Sequence, residues 1–241
     1  MKTRKYIVAA MLLVVAVAVI LVGCKKEKLE YSCNPIVNDW AKENAELFEK
    51  SSRKQLATLP MPLLHAAYNT LSPQKKYDLW QEKLAIEFNI WGDSLQEKIK
   101  CFANTISVSW YDESPKCDCN YDFLEHWESE ILTNYLDTID YVIAFCMLPT
   151  IDEIYELNEQ PELINYDWIQ IPDELLTKNV SRSDGQGGSP SSSFSCNCRV
   201  NAACTASPLG NQCVKTNCVR KKHCGLGGFF ECTGECAEKQ I

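Results

Sequence analysis

The sequence has little histidine: only three of its 241 residues are histidine. His65 and His126 stand alone on segments rich in Leu and Trp, and neither belongs to a His-Glu-x-x-His motif. His223 lies beside Cys224, but the C-terminal region has no Cys-x-x-Cys pair of the kind that holds zinc. We therefore expect no enzyme activity, no cofactor and no metal site.

Positive charge is also scarce. The formal net charge is −8, which disfavours nucleic acid as a partner because the phosphate backbone needs a basic surface. Residues 25–175 hold 28 acidic and 13 basic side chains, whereas residues 196–241 hold three acidic and six basic ones. We expect the acidic groups of 152–162 to form a solvated face. The sequence thus predicts an acidic body followed by a small basic tail.

Only one long apolar run is present, and it lies at the N-terminus. Residues 1–23 have a basic start and then 16 consecutive apolar residues, which is typical of a secretory signal. The run ends in Leu21-Val22-Gly23-Cys24, which resembles a bacterial lipobox. That resemblance implies cleavage before Cys24, attachment of acyl chains such as palmitate to its thiol, and a membrane-lipid partner. The expected location is the bacterial cell envelope, on the periplasmic side or the outer surface, with 24–33 as anchor and tether.

Two other interpretations of the N-terminus remain open. A membrane-spanning helix is one, with Lys25, Lys26 and Lys28 as its flank, although 16 residues is short for a hydrocarbon core that needs about 20. An ordinary cleaved signal without lipid is the other.

The body, residues 34–177, is predicted to be a small helical bundle, so the fold class is mainly α. A first helix is expected from Val37 to about Ala57, ended by Pro60 and Pro62. Ser72-Pro73 predicts a helix start, and Asp93 or Ser94 is expected to cap the next helix. Apolar residues at helical spacing mark the buried faces: Tyr77, Trp80, Leu84 and Phe88; Leu95, Ile99, Phe102 and Ile106; Phe123 or Leu124, Trp127, Ile131 and Tyr135; Ile139, Val142, Ile143 and Cys146. No segment shows the alternation typical of strands between hairpin turns.

Residues 178–195 are rich in Ser and Gly and offer almost nothing apolar to bury, which indicates a flexible linker. We therefore expect the tail to move independently of the body.

The tail, residues 196–241, is predicted to be a small disulfide-rich module. It has too few large apolar side chains to fold by burial alone, and export would place it in an oxidising compartment. Eight cysteines are the disulfide candidates, and their 105 connectivities remain open: Cys196, Cys198, Cys204, Cys213, Cys218, Cys224, Cys232 and Cys236. The body holds five more, which allow two bridges and a free thiol or a bridge to the tail: Cys33, Cys101, Cys117, Cys119 and Cys146.

The tail resembles the fulvocin C-related bacteriocin family. The likeness is carried by Cys196-Asn197-Cys198, by the eight-cysteine count and by the Gly-rich, aromatic block from Cys224 to Cys232. Leu71 to Trp80 is similar to a recurring segment of that family's helical region, whereas the closing Cys232–Cys236 spacing is wider than the bacteriocin's. The resemblance implies a bacteriocin-like module on a helical, exported protein.

Two hypotheses of function follow. In the first, the tail acts against a competitor's envelope, and its basic and aromatic residues make contact with the target: Arg220, Lys221, Lys222, Phe229 and Phe230. A solvated loop is the alternative for that cluster. In the second, the tail is a non-toxic envelope-binding, adhesion or inhibitor-like module for a protein or a glycan.

Overall fold

The structure is a computed structural model, and it describes residues 30–32, 34–112, 120–159 and 166–176 of the body. In the tail it describes 211–215, 221–224, 226–232 and 234–238. The signal, Cys33, Cys117, Cys119 and the linker lie outside the described residues, as do the predictions made for them. Within the described part, no helix is long and apolar enough to cross a membrane.

Helices make up most of the described body, so the predicted mainly α class is confirmed. Their bounds are α1 Pro35–Glu43, α2 Ala45–Lys50, α3 Arg53–Ala57, α4 Met61–Thr70, α5 Pro73–Ile90, α6 Asp93–Thr105, α7 Tyr121–Asn134, α8 Thr138–Cys146, α9 Ile151–Glu159 and α10 Asp173–Leu176. Short 3-10 helices occupy Val108–Tyr111 and Leu226–Gly228. The described part of the tail holds four short strands: β1 Asn211–Lys215, β2 Lys221–Cys224, β3 Phe230–Cys232 and β4 Gly234–Glu238.

Side-chain caps explain several helix starts. The Ser72 hydroxyl accepts a hydrogen bond from the Lys75 amide at 3.2 Å, and Pro73 occupies the first turn of α5, as predicted. Asp137 caps α8 by accepting hydrogen bonds from the Ile139 and Asp140 amides at 2.8 and 2.9 Å. These groups satisfy backbone donors that the first helical turn leaves without a partner.

Three predictions about the helices are wrong. The stretch from Val37 to Ala57 is three helices, because the chain turns at Asn44 and again at Ser51-Ser52, where Ser52 and Gln55 form a capping box. Pro62 does not end a helix; it lies in the first turn of α4, where a missing amide hydrogen costs nothing. Neither Asp93 nor Ser94 caps α6, since Gly92 holds that position without a side-chain hydrogen bond.

The tail also contains strands that the sequence analysis did not predict. β1 pairs antiparallel with β4, and β2 pairs antiparallel with β3 inside them, with a register shift between Lys222 and Cys224. The four strands are three to five residues long, too short to produce a clear alternation of apolar and polar residues. The inner pair therefore forms a hairpin whose loop includes Leu226–Gly228 and Phe229.

The core of the body is aromatic and continuous. α5 packs against α6 and against the 3-10 helix Val108–Tyr111, while α8 packs against the tail's 3-10 helix Leu226–Gly228. Segment 166–176 returns to the beginning of the body, where the Trp40 indole donates a hydrogen bond to the Gln170 carbonyl at 3.1 Å. The Trp168 ring lies 6.5 Å from Phe48 at the same place. Body and tail therefore share one buried interior.

Candidate functional site: the junction of body and tail

The junction of body and tail is built around the ring of Phe229, which is fully buried. Its centroid lies 4.7 Å from that of Tyr111, 5.4 Å from Trp110 and 6.4 Å from Phe102. The contacts with Trp110 and Phe102 are edge-on, the arrangement that aromatic quadrupoles favour. Phe102 also stacks on Trp127 at 4.7 Å, so the ring of Phe229 completes the aromatic core of the body.

Two glycines allow this insertion. Gly227 and Gly228 have φ angles of 60° and 72°, in the left-handed region that residues with a Cβ rarely adopt. A Cβ on Gly228 would also lie 2.9 Å from the Tyr68 hydroxyl oxygen and 3.4 Å from Trp80 Nε1. The loop backbone therefore comes close to the body only because these positions carry no side chain.

A buried polar pair faces Gly228 from the body. The Trp80 indole donates a hydrogen bond to the Tyr68 hydroxyl at 3.0 Å, and the Lys76 ammonium lies 5.1 Å from the centre of the Tyr68 ring. Burial raises the pKa of Tyr68 far above its usual value, so its hydroxyl keeps its proton. We name the five body residues that surround the loop the tail pocket: Tyr68, Trp80, Phe102, Trp110 and Tyr111.

A small cavity of about 30 Å³ adjoins the tail pocket. Gly228 forms one wall, and the body supplies the rest: Met61, Leu64, His65, Tyr68, Trp80, Cys146, Met147 and Leu148. The space is sufficient for a water molecule but not for an organic substrate. The cavity therefore belongs to the packing of the junction.

His65 gives this region a dependence on pH. Burial lowers the pKa of its imidazole from 6.5 to about 4, so the folded protein holds it neutral. Between pH 4 and pH 6.5 the unfolded chain binds a proton on His65 that the folded protein does not bind. The free energy of unfolding therefore has its full value above pH 6.5 and falls as the pH drops from 6.5 to 4. We expect wild-type protein to lose at most about 3 kcal/mol more than His65→Gln across that interval, because His65 keeps part of its surface exposed.

Urea unfolding of both proteins at several pH values between 4 and 7 measures this difference. Parallel curves for wild type and variant would contradict it.

A second buried cluster consists of charged groups and joins α3, α5 and the start of α9. Arg53 binds both carboxylate oxygens of Glu153 at 2.7 Å and donates to the Leu148 carbonyl at 3.0 Å. The Lys83 ammonium lies 2.6 Å from Glu87 and donates to the Pro149 carbonyl at 2.5 Å. Lys83 and Glu87 have no exposed side-chain surface. The cluster thus holds the segment that connects α8 to α9 in place. α8, at one end of that segment, packs on the tail loop.

Burial and charge pairing oppose each other in this cluster. Burial lowers the pKa of Lys83 from 10.5 to about 8, although Glu87 favours the charged ammonium. Burial also disfavours the Glu153 carboxylate, but the hydrogen bonds from Arg53 and the Thr150 amide, together with the charges of Arg53 and Lys83, outweigh it and lower the pKa of Glu153. The prediction that the acidic side chains of 152–162 form a solvated face is therefore wrong for Glu153, which is largely buried against Arg53.

The structure distributes the predicted site residues unevenly. Cys24, Arg220, Cys196, Cys198, Cys204 and Cys218 lie outside the described residues. Lys221 and Lys222 lie in β2, Phe230 begins β3, and the other four tail cysteines occupy strand positions. In the body, Cys101 is an exposed thiol without a disulfide, and Cys146 is buried. Among the described side chains, no group of three or more could hold a metal ion.

The expectation that Phe229 is exposed is wrong. Its ring is buried, so it does not face a target with the basic residues. The prediction that the tail moves independently of the body is also wrong for segment 227–229, which packs into the tail pocket. Both errors have one cause: the apolar partners of Phe229 lie more than 100 residues earlier in the chain, where local patterns give no sign of them.

The tail pocket was not predicted as a site. Helical spacing marks Trp80 and Phe102 only as core residues, and no pattern singled out Tyr68, Trp110 or Tyr111. The one available signal was Gly227-Gly228 directly before an aromatic pair, since adjacent glycines permit a backbone to approach another surface closely.

Comparison of this chain with family models, with curated protein sequences and with solved structures finds no match. The likeness to fulvocin C-related proteins therefore stays a prediction from the residues quoted above.

Proposed function

We propose that this protein is a bacterial envelope lipoprotein, anchored through acylated Cys24, whose helical body displays a bacteriocin-like, disulfide-rich tail against a competitor's envelope. The observation that carries the display part of the proposal is the burial of Phe229 in the tail pocket. A tail held by the body is presented at a fixed place instead of hanging from the linker.

The sequence supports the remaining parts of the proposal. The lipobox-like Leu21-Val22-Gly23-Cys24 supports the anchor, and eight cysteines within 196–236 support a bridged tail. The basic residues Arg220, Lys221 and Lys222 would meet an anionic envelope surface, to which positive charge is attracted. The structure removes the Phe229 ring from this contact, because that ring is buried in the body.

The same observation favours a second candidate function. Insertion into a membrane would need exposed apolar side chains, and the burial of Phe229 takes one of the two adjacent aromatic rings away from that role. A tail fixed on the body suits a non-toxic module that binds a protein or a glycan at the cell surface.

The first experiment tests the anchor. Intact mass of the protein from the membrane fraction is expected to show a chain beginning at Cys24, carrying acyl chains and gaining protons on reduction. Cys24→Ala is the matched variant, and we expect it to lose the acyl mass and leave the membrane fraction. A wild-type chain that retains residues 1–23 and carries no lipid would contradict the anchor.

The second experiment tests the antibacterial action. Growth of related bacteria is measured with the purified protein after reduction and alkylation, and after alkylation alone, which modifies only free thiols such as Cys101. Inhibition should survive alkylation alone and disappear when the disulfides are first reduced. Activity that persists in the fully reduced protein would exclude this mechanism, and saturable binding without any effect on growth would favour the second function.

A further inference from the structure

The outer strand pair of the tail brings two cysteines to one position of its ladder. β1 and β4 run antiparallel in unbroken register from Asn211 opposite Glu238 to Lys215 opposite Gly234, and the central pair is Cys213 opposite Cys236. Directly opposed residues of antiparallel strands have Cα atoms about 4.5 or 5.5 Å apart. Both separations lie in the range of about 4.4–6.8 Å that a disulfide bridges.

The register distinguishes this pair from the other cysteines in the described strands. In the inner pair, Cys224 lies opposite Phe230 and Cys232 lies opposite Lys221, so neither faces a cysteine. Of the four strand cysteines, only Cys213 and Cys236 therefore occupy partner positions, a choice that spacing in the sequence could not make among 105 connectivities.

We infer that Cys213 and Cys236 form a disulfide that closes the base of the hairpin carrying Phe229. The bond encloses residues 213–236, a loop of 24 residues that contains β2, the two left-handed glycines, Phe229 and β3. The inference rests on the proposed export of the tail, because an oxidising compartment lets the bond persist.

The chemistry is a thiol–disulfide exchange. One cysteine, as its thiolate, attacks an external disulfide such as that of an oxidoreductase and forms a mixed disulfide, releasing one external thiol. The second cysteine then attacks the mixed disulfide and releases the other. The two tail thiols lose two electrons and two protons, and the external disulfide gains them.

The bond links the oxidation state of the tail to its attachment to the body. A closed loop has far fewer conformations than an open one, so the hairpin presents Phe229 to the tail pocket at a smaller entropic cost. Reduction of this disulfide is therefore expected to weaken the docking of Phe229, although neither cysteine belongs to the pocket.

Peptide mapping of the non-reduced full chain tests the pairing. Trypsin, chymotrypsin and glutamyl endopeptidase together cut after Leu209, Lys215, Glu235 and Glu238, which places Cys213 in fragment 210–215 and Cys236 in fragment 236–238. We expect these two fragments to be joined. Two preparations are compared: protein from the cell envelope, and the same chain reduced and refolded in a glutathione redox buffer.

The two preparations separate this inference from the proposed function. A 210–215 fragment joined to 236–238 in both preparations supports both. The joined pair in the refolded chain together with free thiols in the envelope chain supports the pairing and contradicts the proposed export. Cys213 joined to another cysteine, or recovered as a free thiol, in the refolded chain overturns the inference.

A variant tests the link to docking. In Cys213→Ser/Cys236→Ser, chymotrypsin should cleave at Phe229 on the order of a hundred times faster than in wild type, because the open loop leaves the pocket more often. Cys101→Ser is the matched control, since Cys101 is an exposed thiol without a disulfide, and its cleavage rate should equal that of wild type. Equal rates in the double variant and the control would overturn the coupling between bond and pocket.

Discussion

Phe229→Ala is expected to lower the free energy of unfolding by about 3–5 kcal/mol, because it removes a fully buried ring and leaves a cavity between Trp110, Tyr111 and Phe102. The tail should also leave the body. Urea unfolding followed by tryptophan fluorescence measures the first effect, since Trp110 directly contacts the lost ring. Hydrogen exchange measures the second, as a loss of protection in β2 and β3 that α5 and α6 do not share.

Ile139→Ala is the control for the size of this effect. Ile139 is 60% exposed on α8, so the prediction that it marks a buried face is wrong, and we expect its truncation to cost less than about 0.5 kcal/mol. Similar losses for Ile139→Ala and Phe229→Ala would mean that Phe229 does not hold the tail.

A glycine pair tests the same docking through the backbone. Gly228→Ala should release the tail because a Cβ there meets the Tyr68 hydroxyl at a φ of 72°, whereas a Cβ at Gly92 meets nothing within 4 Å. Release by Gly92→Ala, or none by Gly228→Ala, would contradict the close approach at the pocket.

Lys83→Met is expected to destabilise the protein by about 3–5 kcal/mol, because it leaves the Glu87 carboxylate buried without its cation. Among the described residues, the Trp91 indole still donates a hydrogen bond to the Glu87 carboxylate at 2.8 Å. Thermal or urea unfolding at pH 7 measures the loss.

The double variant Lys83→Met/Glu87→Leu separates the cost of an unpaired charge from the value of the pair. Replacing both partners by apolar side chains removes both desolvation costs, so we expect most of the stability to return. A double variant that is less stable than Lys83→Met would show that the ion pair itself contributes net stability.

Lys50→Met is the surface control: its i,i+4 partner Glu46 is exposed, and we expect a change in the free energy of unfolding below about 0.5 kcal/mol.

Local signals predicted part of this fold well. Ser72-Pro73 placed the start of α5, and the stripe Leu95, Ile99, Phe102 and Ile106 is buried as predicted. These features depend on neighbours within one or two helical turns, and for that reason they can be read from a sequence.

The rest depends on contacts between distant parts of the chain. The buried face of α5 includes Lys76, Lys83 and Glu87, residues that a hydropathy pattern assigns to solvent. Lys76 lies over the Tyr68 ring, and Lys83 and Glu87 pair with each other. Lys83 also donates to the carbonyl of Pro149, which lies 66 residues away. The tail pocket is likewise formed by distant residues, so its existence could not be predicted from periodicity.

The insertion of Phe229 has a consequence for evolution and for engineering. A tail joined to the body only by a linker could be transferred to another protein as a unit, and the sequences of tail and body could change independently of each other. Here Gly227, Gly228 and Phe229 match Tyr68, Trp110 and Tyr111 in shape. Tail and body must therefore diverge together, and a chimera that carries this tail on another body needs a transplanted pocket to receive it.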